Sequence, residues 1–151
     1  AATIPTYEKD GVRVRVVAGQ VEGVAGPITE TLAPARSAGV AAAPLYLDVQ
    51  IAPDKEWVQP LPHEHTALAY VFEGEGVFAD QTIESVKLVK FSEGDHIRVK
   101  TENHPVRFML MAGAPFREPI VPYGPFVMNT IEEIQQTLFR MLSRRGSVYF
   151  G

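Results

Sequence analysis

The sequence of 151 residues contains no cysteine. Disulfide bonds, thiolate metal sites and cysteine nucleophiles are therefore excluded. No apolar run approaches the ~20 residues that a membrane-spanning helix requires. The first residues do not combine a basic segment with an apolar one, as a signal peptide would. From these absences we expect a cytoplasmic protein that does not enter a membrane.

An excess of basic residues is also missing. Lysine and arginine together number 14 against 18 acidic residues, which gives a formal net charge of −4. Direct nucleic-acid binding is not expected, because such proteins carry basic residues that neutralise phosphates. A protein partner remains compatible with this charge. Hydrophobic residues make up 46% and charged residues 21%, which is typical of a globular protein, and the length predicts a single domain over 1–151.

Apolar residues recur with the period of a β-strand. In "GVRVRVVAG", three valines alternate with Arg13 and Arg15, and in "LYLDVQIA" Leu45 to Ile51 place every second side chain on one face. Further strands are predicted in "TALAYVFEG", "GVFAD", "ESVKLVKF", "GDHIRVK" and "VRFMLMAG". We expect a turn at Gly74–Gly76 and an apolar face containing Val86 and Leu88. Short strands at this spacing, without helices between them, indicate a sandwich or barrel.

Two segments depart from this strand pattern. Residues 19–44 are rich in glycine, alanine and proline, which predicts a long loop. Residues 130–145 carry apolar side chains at helical spacing, and Thr130 with Glu133 forms a capping box, which predicts a C-terminal helix.

Two histidines in "PLPHEHTALAYVFEGEG" suggest half of a metal site. His63 and His65 are two positions apart, so on a strand both would face the same way. This spacing resembles the first motif of cupin barrels, in which two histidines, a glutamate and a third histidine bind iron, nickel, copper or manganese. The glutamate position falls on Ala67 when counted from Gly74, or on Ala69 when counted from Gly76.

The third histidine position of the cupin pattern, counted from Gly94, falls on Pro105, next to His104. His63, His65 and His104 are therefore the candidate metal ligands. The alternative is that His63 and His65 lie in a surface turn between proline residues and a strand. His96 is expected to be exposed or hydrogen-bonded. Arg107, which lies between apolar neighbours, would either bind an anion inside the barrel or lie on its outer face.

The most specific segment is "AGAPFREPIVPYGPFVMNTIEEIQQTLFRML", residues 112–142. It resembles the C-terminal end of the pirin family, in which a G-x-P-x-x-E-P stretch precedes "GPFVMNT" and a helix. "GVRVRVVAG", "PLYLDVQI" and "TALAYVFEGEG" are similar to other parts of the second half of a pirin. The resemblance implies an all-β cupin, a jelly-roll barrel of the double-stranded β-helix type, with one C-terminal α-helix.

The resemblance also implies a function. Pirins have two cupins, and the N-terminal one carries the iron and the quercetin 2,3-dioxygenase activity of some members. This chain resembles the C-terminal cupin, so no catalytic residue is expected in it and no cofactor, unless its histidines bind iron, nickel, copper or manganese. Its role would be to complete a two-barrel body, with either the N-terminal cupin or a second copy of itself as partner.

Two alternative functions follow from the same sequence. The first is a self-sufficient mononuclear metal-dependent dioxygenase, similar to quercetinases, that uses His63, His65 and His104. The second is a protein-interaction module that acts as a transcription co-regulator, as pirin does. The missing carboxylate separates the non-catalytic domain from the dioxygenase.

Overall fold

The structure is a computed structural model that describes residues 3–28 and 43–146, with the side chains of 144–146 left out. It divides into two compact units, Ala1–Pro115 and Phe116–Gly151, and each is described by itself. No helix in the described part of the chain is long and apolar enough to cross a membrane.

The first unit contains eleven strands among its described residues. They are β1 (Thr6–Lys9), β2 (Val12–Ala18), β3 (Gln20–Val21), β4 (Val24–Ala25), β5 (Leu45–Ile51), β6 (Glu56–Pro60), β7 (Thr66–Phe78), β8 (Gln81–Glu84), β9 (Lys87–Lys90), β10 (His96–Lys100) and β11 (Val106–Gly113). Nine of them form one curled sheet in the order β1-β2-β5-β11-β7-β10-β6, with β8 and β9 also paired to β7. The predicted all-β architecture is confirmed.

The core lies inside the curl of this sheet. Strands β2 and β5 alternate buried and exposed residues, as the sequence predicts, so that their valines and leucines face inward and Arg13 and Arg15 face outward. At the centre, Phe108 is fully buried between two other aromatic rings, with centroids 6.0 Å from Trp57 and 5.1 Å from Phe78. These contacts bring β6, β7 and β11 together around a single apolar core.

The turn predicted at Gly74–Gly76 is wrong. Strand β7 runs through both glycines, and the bulge in its pairing with β11 lies before them, where the register skips Phe72. Gly74 has a φ of 74°, and a Cβ at this position would lie 2.0 Å from the carbonyl oxygen of Pro105. Glycine therefore allows a close backbone approach within a strand. The reversal comes later, at Ala79 and Asp80, which both have positive φ.

The structure also corrects the predicted apolar face at Val86 and Leu88 and part of the loop predicted over 19–44. Val86 and Leu88 do not form an inward face: they are 68% and 61% exposed, whereas Val89 packs against the core. The apolar residues of "VKLV" occupy both strand phases, so the sequence does not fix which phase faces inward. In the loop predicted over 19–44, residues 20–25 form the short β3–β4 hairpin, and residues 29–42 lie outside the described residues.

The second unit contains β12 (Val121–Tyr123), β13 (Phe126–Met128) and helix α1 (Ile131–Gly146). The predicted capping box is present: the Thr130 N–H donates to Glu133 Oε2 at 3.1 Å, and the Glu133 N–H donates to Thr130 Oγ1 at 3.2 Å. The helix prediction is confirmed to within one residue at each end. The apolar face of the helix is less buried than the helical spacing of its apolar residues predicts. Ile134 is buried, whereas Ile131 and Leu142 are exposed.

Candidate functional site

His63 and His65 lie before β7 rather than on it. The His65 N–H donates to the carbonyl oxygen of Pro62 at 2.9 Å, which closes a turn that contains His63 and Glu64. His63 is exposed in this turn, and His65 is half-buried. The two imidazoles are therefore not presented side by side on a strand, and the surface-turn alternative describes His63 correctly.

His65 lines a cavity of about 380 Å³ in the barrel unit, whose lining is partly apolar, with Phe78 and Phe91, and partly charged, with Glu93. Its Nδ1 atom is shielded from solvent and has no hydrogen-bond partner among the described residues. In the register that makes both His63 and His65 ligands, the glutamate position is Ala69, which is fully buried. That position therefore contains no metal donor.

His104 lies in a different cleft. It is exposed, its Nε2 atom is 3.8 Å from Oε1 of Glu75, and its other cleft neighbours include Gly74 and Ser85. None of the residues that line this cleft also lines the cavity at His65. The structure places His65 and His104 in separate clefts.

The described residues do not fit a metal centre. Across 3–28 and 43–146, no group of three or more histidines, aspartates or glutamates is arranged to hold a metal ion. Both candidate glutamate positions, Ala67 and Ala69, belong to the apolar core, and Ala69 is fully buried. Iron, manganese, nickel and copper in such sites require several imidazole or carboxylate ligands. The assignment of His63, His65 and His104 as metal ligands stays a prediction.

His96 lies at the rim of the same cavity as His65. It is exposed, as expected, and its Nδ1 atom contacts Oδ1 of Asp95 at 2.5 Å. This hydrogen bond, together with the positive charge of the protonated imidazole, holds the pKa of Asp95 below its usual range. The pair is a surface contact and provides no buried acid or base.

Arg107 lies on the outer face of the sheet, in agreement with the second of its two predicted placements. Its Nε and Nη2 atoms donate to Oδ1 and Oδ2 of Asp48 at 3.0 and 2.8 Å, and its guanidinium group lies 4.9 Å from the centre of the Phe72 ring. The hydrogen bond with Asp48 raises the pKa of Arg107 above its ordinary value. This bidentate geometry is the strong form of an arginine–carboxylate pair.

Sequence reasoning missed the surroundings of this pair. Arg13, Arg15, Asp48, Gln50 and Arg107 line a cleft of about 200 Å³ on the outer face. The alternation in "VRVRV" predicts that two arginines share a face, but it does not reveal which strand lies beside them. That information requires the pairing of β2 with β5 and of β5 with β11.

Comparisons with known proteins agree with this architecture. The family model described as the pirin C-terminal cupin domain matches residues 46–141. A pirin-like protein of Arabidopsis thaliana is 39% identical over 144 residues, covering 89% of this chain and 43% of the relative. Pirin of Homo sapiens is 37% identical over 141 residues, covering 89% of this chain and 45% of the relative.

One solved structure is similar to this chain in both fold and sequence. The quercetin 2,3-dioxygenase of Acinetobacter baumannii has a TM-score of 0.76 and 28% identity, with 95% of this chain and 48% of that chain covered. The chain thus spans about half the length of the curated relatives it matches. By the family model and these relatives, the chain belongs to the pirin C-terminal cupin domain family.

Proposed function

We propose that the chain is a non-catalytic cupin domain that completes a two-barrel pirin-like body. One observation carries this proposal: the barrel interior is an apolar core at the positions where a metal-binding cupin has its carboxylate. Ala67 and Ala69 occupy both candidate positions, and both are buried. A barrel without its carboxylate and without a cluster of donors lacks the means to hold a metal and leave positions open for substrate and oxygen.

The greater length of the related proteins supports a second barrel as the partner of this domain. The matched span is 43% of the Arabidopsis thaliana pirin-like protein and 48% of the Acinetobacter baumannii dioxygenase. In the proposed arrangement, the part of such proteins beyond this span contains the iron and any quercetin 2,3-dioxygenase activity. The domain described here would then contribute stability and one wall of the cleft over the metal.

The proposal is tested by oxygen consumption with quercetin and added Fe(II). We expect this chain alone to show no consumption above that of free iron, because its described residues lack the donor set that would orient substrate and oxygen. The Acinetobacter baumannii quercetin 2,3-dioxygenase, assayed in the same buffer, serves as the positive control.

A positive result would have a specific meaning. Turnover that exceeds free iron and disappears in His65→Ala would contradict the non-catalytic role and favour a self-sufficient dioxygenase. His96→Ala is the matched control, since His96 lies at the rim of the same cavity but is exposed and paired with Asp95. Loss in both variants would indicate damage to the cavity rather than loss of a ligand.

A further inference from the structure

Three arginines converge on the outer face of the barrel sheet. The strand register aligns Arg13 of β2 with Gln50 of β5, and Gln50 with Arg107 of β11. In the adjacent row, Arg15 lies opposite Asp48. Side chains in neighbouring rows of one sheet face are within reach of each other. The fold therefore brings together three guanidinium groups from two strands that are separated by a third.

The three arginines differ in how they are paired. Arg107 is fixed by its two hydrogen bonds to Asp48, whose side chain is only 14% exposed. The Nη1 atom of Arg15 lies 3.7 Å from Oδ2 of Asp48, and the Nε atom of Arg13 lies 3.9 Å from Oε2 of Glu8. Both distances exceed the ~2.7–2.9 Å of a charge-assisted hydrogen bond. Within the described residues, these two ion pairs are loose contacts at the protein surface.

The cleft has a local excess of positive charge, although the chain as a whole is acidic. Its lining has three arginines and one carboxylate, and that carboxylate is already bound by Arg107. Two other carboxylates, Glu8 and Glu73, each lie 3.9 Å from one of these arginines and are more than two-thirds exposed. Exposed ion pairs of this kind contribute little to stability, and their attraction is screened by salt. The like charges of Arg13, Arg15 and Arg107 are therefore only partly neutralised.

The geometry of the cleft suits an oxyanion. Its volume is about 200 Å³, and since a water molecule in the liquid occupies about 30 Å³, it can hold one phosphate group with a few waters. Guanidinium groups bind phosphate oxygens in pairs of parallel hydrogen bonds. Asp48 orients Arg107, the Phe72 ring supports its guanidinium group, and the Gln50 amide adds a further neutral donor.

From this geometry we propose that the cleft formed by Arg13, Arg15, Gln50 and Arg107 is a binding site for a phosphate group. The bound species is either inorganic phosphate or a phosphate monoester, and both present the same oxygens to the guanidinium groups. The site lies on the outer face of the barrel, and it does not depend on the non-catalytic role proposed above.

The test is a titration of the ¹⁵N-labelled chain followed by NMR of the arginine Nε–Hε signals. Inorganic phosphate and phenyl phosphate are the two probes, in separate titrations. Saturable shifts confined to Arg13, Arg15 and Arg107 are expected, and added sodium chloride should weaken them. Tighter binding of phenyl phosphate would identify a monoester as the ligand, and tighter binding of inorganic phosphate would identify the free ion.

Variants separate the site from general ion binding. The double variant Arg13→Gln, Arg15→Gln should weaken binding by about tenfold or more, because it replaces two charged guanidinium groups with shorter, neutral amides. The matched control is Arg98→Gln on β10, an exposed arginine 3.6 Å from Asp80 and outside the cleft. We expect wild-type affinity from this control.

Two outcomes would overturn the proposal. One is an absence of saturable shifts with either probe. The other is a double variant that binds as tightly as the Arg98→Gln control, which would mean that the arginines only form a structural ion-pair cluster. Wild-type far-UV circular dichroism in both variants is required, and Arg15→Lys offers a milder change if the double variant does not fold: it should bind more weakly than wild type because lysine lacks the paired donors.

Discussion

Replacing Ala69 by glutamate would place a carboxylate in the centre of the barrel. Ala69 is fully buried on β7, opposite Leu110 of β11 and Val89 of β9. This substitution restores the residue type that a metal-binding cupin would have at one of the two candidate positions. If the interior is an apolar core, the new carboxylate has no partner, and the protein must keep it neutral.

The cost follows from the protonation of that group. A free glutamate has a pKa of about 4.3, and a fully buried one is raised by up to ~3–5 units, so the folded variant would hold a proton at neutral pH. Keeping the proton at pH 7 costs about 3.7 kcal/mol, at ~1.36 kcal/mol per pH unit. The added side-chain volume costs about 1–3 kcal/mol more. We therefore expect Ala69→Glu to lower the free energy of unfolding by roughly 5–7 kcal/mol at pH 7.

The pH dependence has a definite sign. The folded-state pKa is raised, so the unfolded variant releases its proton at lower pH than the folded variant does. The protonation cost is absent below the unfolded pKa, and it grows as the pH rises above about 4.3. Relative to wild type, the variant should thus lose about 1.4 kcal/mol per pH unit between pH ~4.5 and 7.

Urea unfolding at several pH values measures both quantities. The control is Tyr70→Glu, an adjacent position on the outward face that is 38% exposed. Because surface substitutions usually change stability by less than about 0.5 kcal/mol, this control should remain close to wild type. A similar small loss in Ala69→Glu would refute the apolar-core argument. If Fe(II) stabilised Ala69→Glu or Ala67→Glu but not wild type, the interior would contain a latent metal site.

Three further predictions concern the fold and its assembly. Gly74→Ala should destabilise the protein in urea melts by at least ~1 kcal/mol, because its φ is positive and a Cβ would meet the Pro105 carbonyl oxygen; a neutral effect would show that the strand does not need glycine at this position. Thr130→Ala should cost about 1 kcal/mol through loss of the helix cap, and Ile134→Ala about 2–5 kcal/mol through loss of buried volume; equal and negligible losses would contradict both roles. The isolated chain should form an isologous homodimer whose interface buries more than ~1,000 Å². Sedimentation measures whether the dimer forms, and a strict monomer at high micromolar concentration would count against a surface that normally meets a second barrel.

Regular alternation made the barrel predictable from sequence. Strands β2 and β5 alternate valine or leucine with polar residues, and both bury the expected face. Helix α1 was predictable because the Thr130–Glu133 capping box is local in sequence. In each case the signal lies within a few neighbouring residues and does not depend on the rest of the fold.

The errors arose where the decisive contact is distant in sequence. Gly74 indicated a turn, but glycine is required there because the carbonyl oxygen of Pro105, which is distant in sequence, approaches the backbone closely. For the histidine pair, the sequence left a strand and a surface turn both open, and the backbone hydrogen bond from His65 to Pro62 shows the turn. The arginine cleft was missed because Asp48 and Arg107 meet only through the pairing of β5 with β11.

Metal content tests the central claim most directly. The chain is purified from cells grown with added iron, nickel, copper and manganese, and the metal bound per chain is measured by mass spectrometry. The account predicts far less than one equivalent of each, since the described residues contain no suitable group of donors. One equivalent of any of these metals, lost in His63→Ala, would contradict the account.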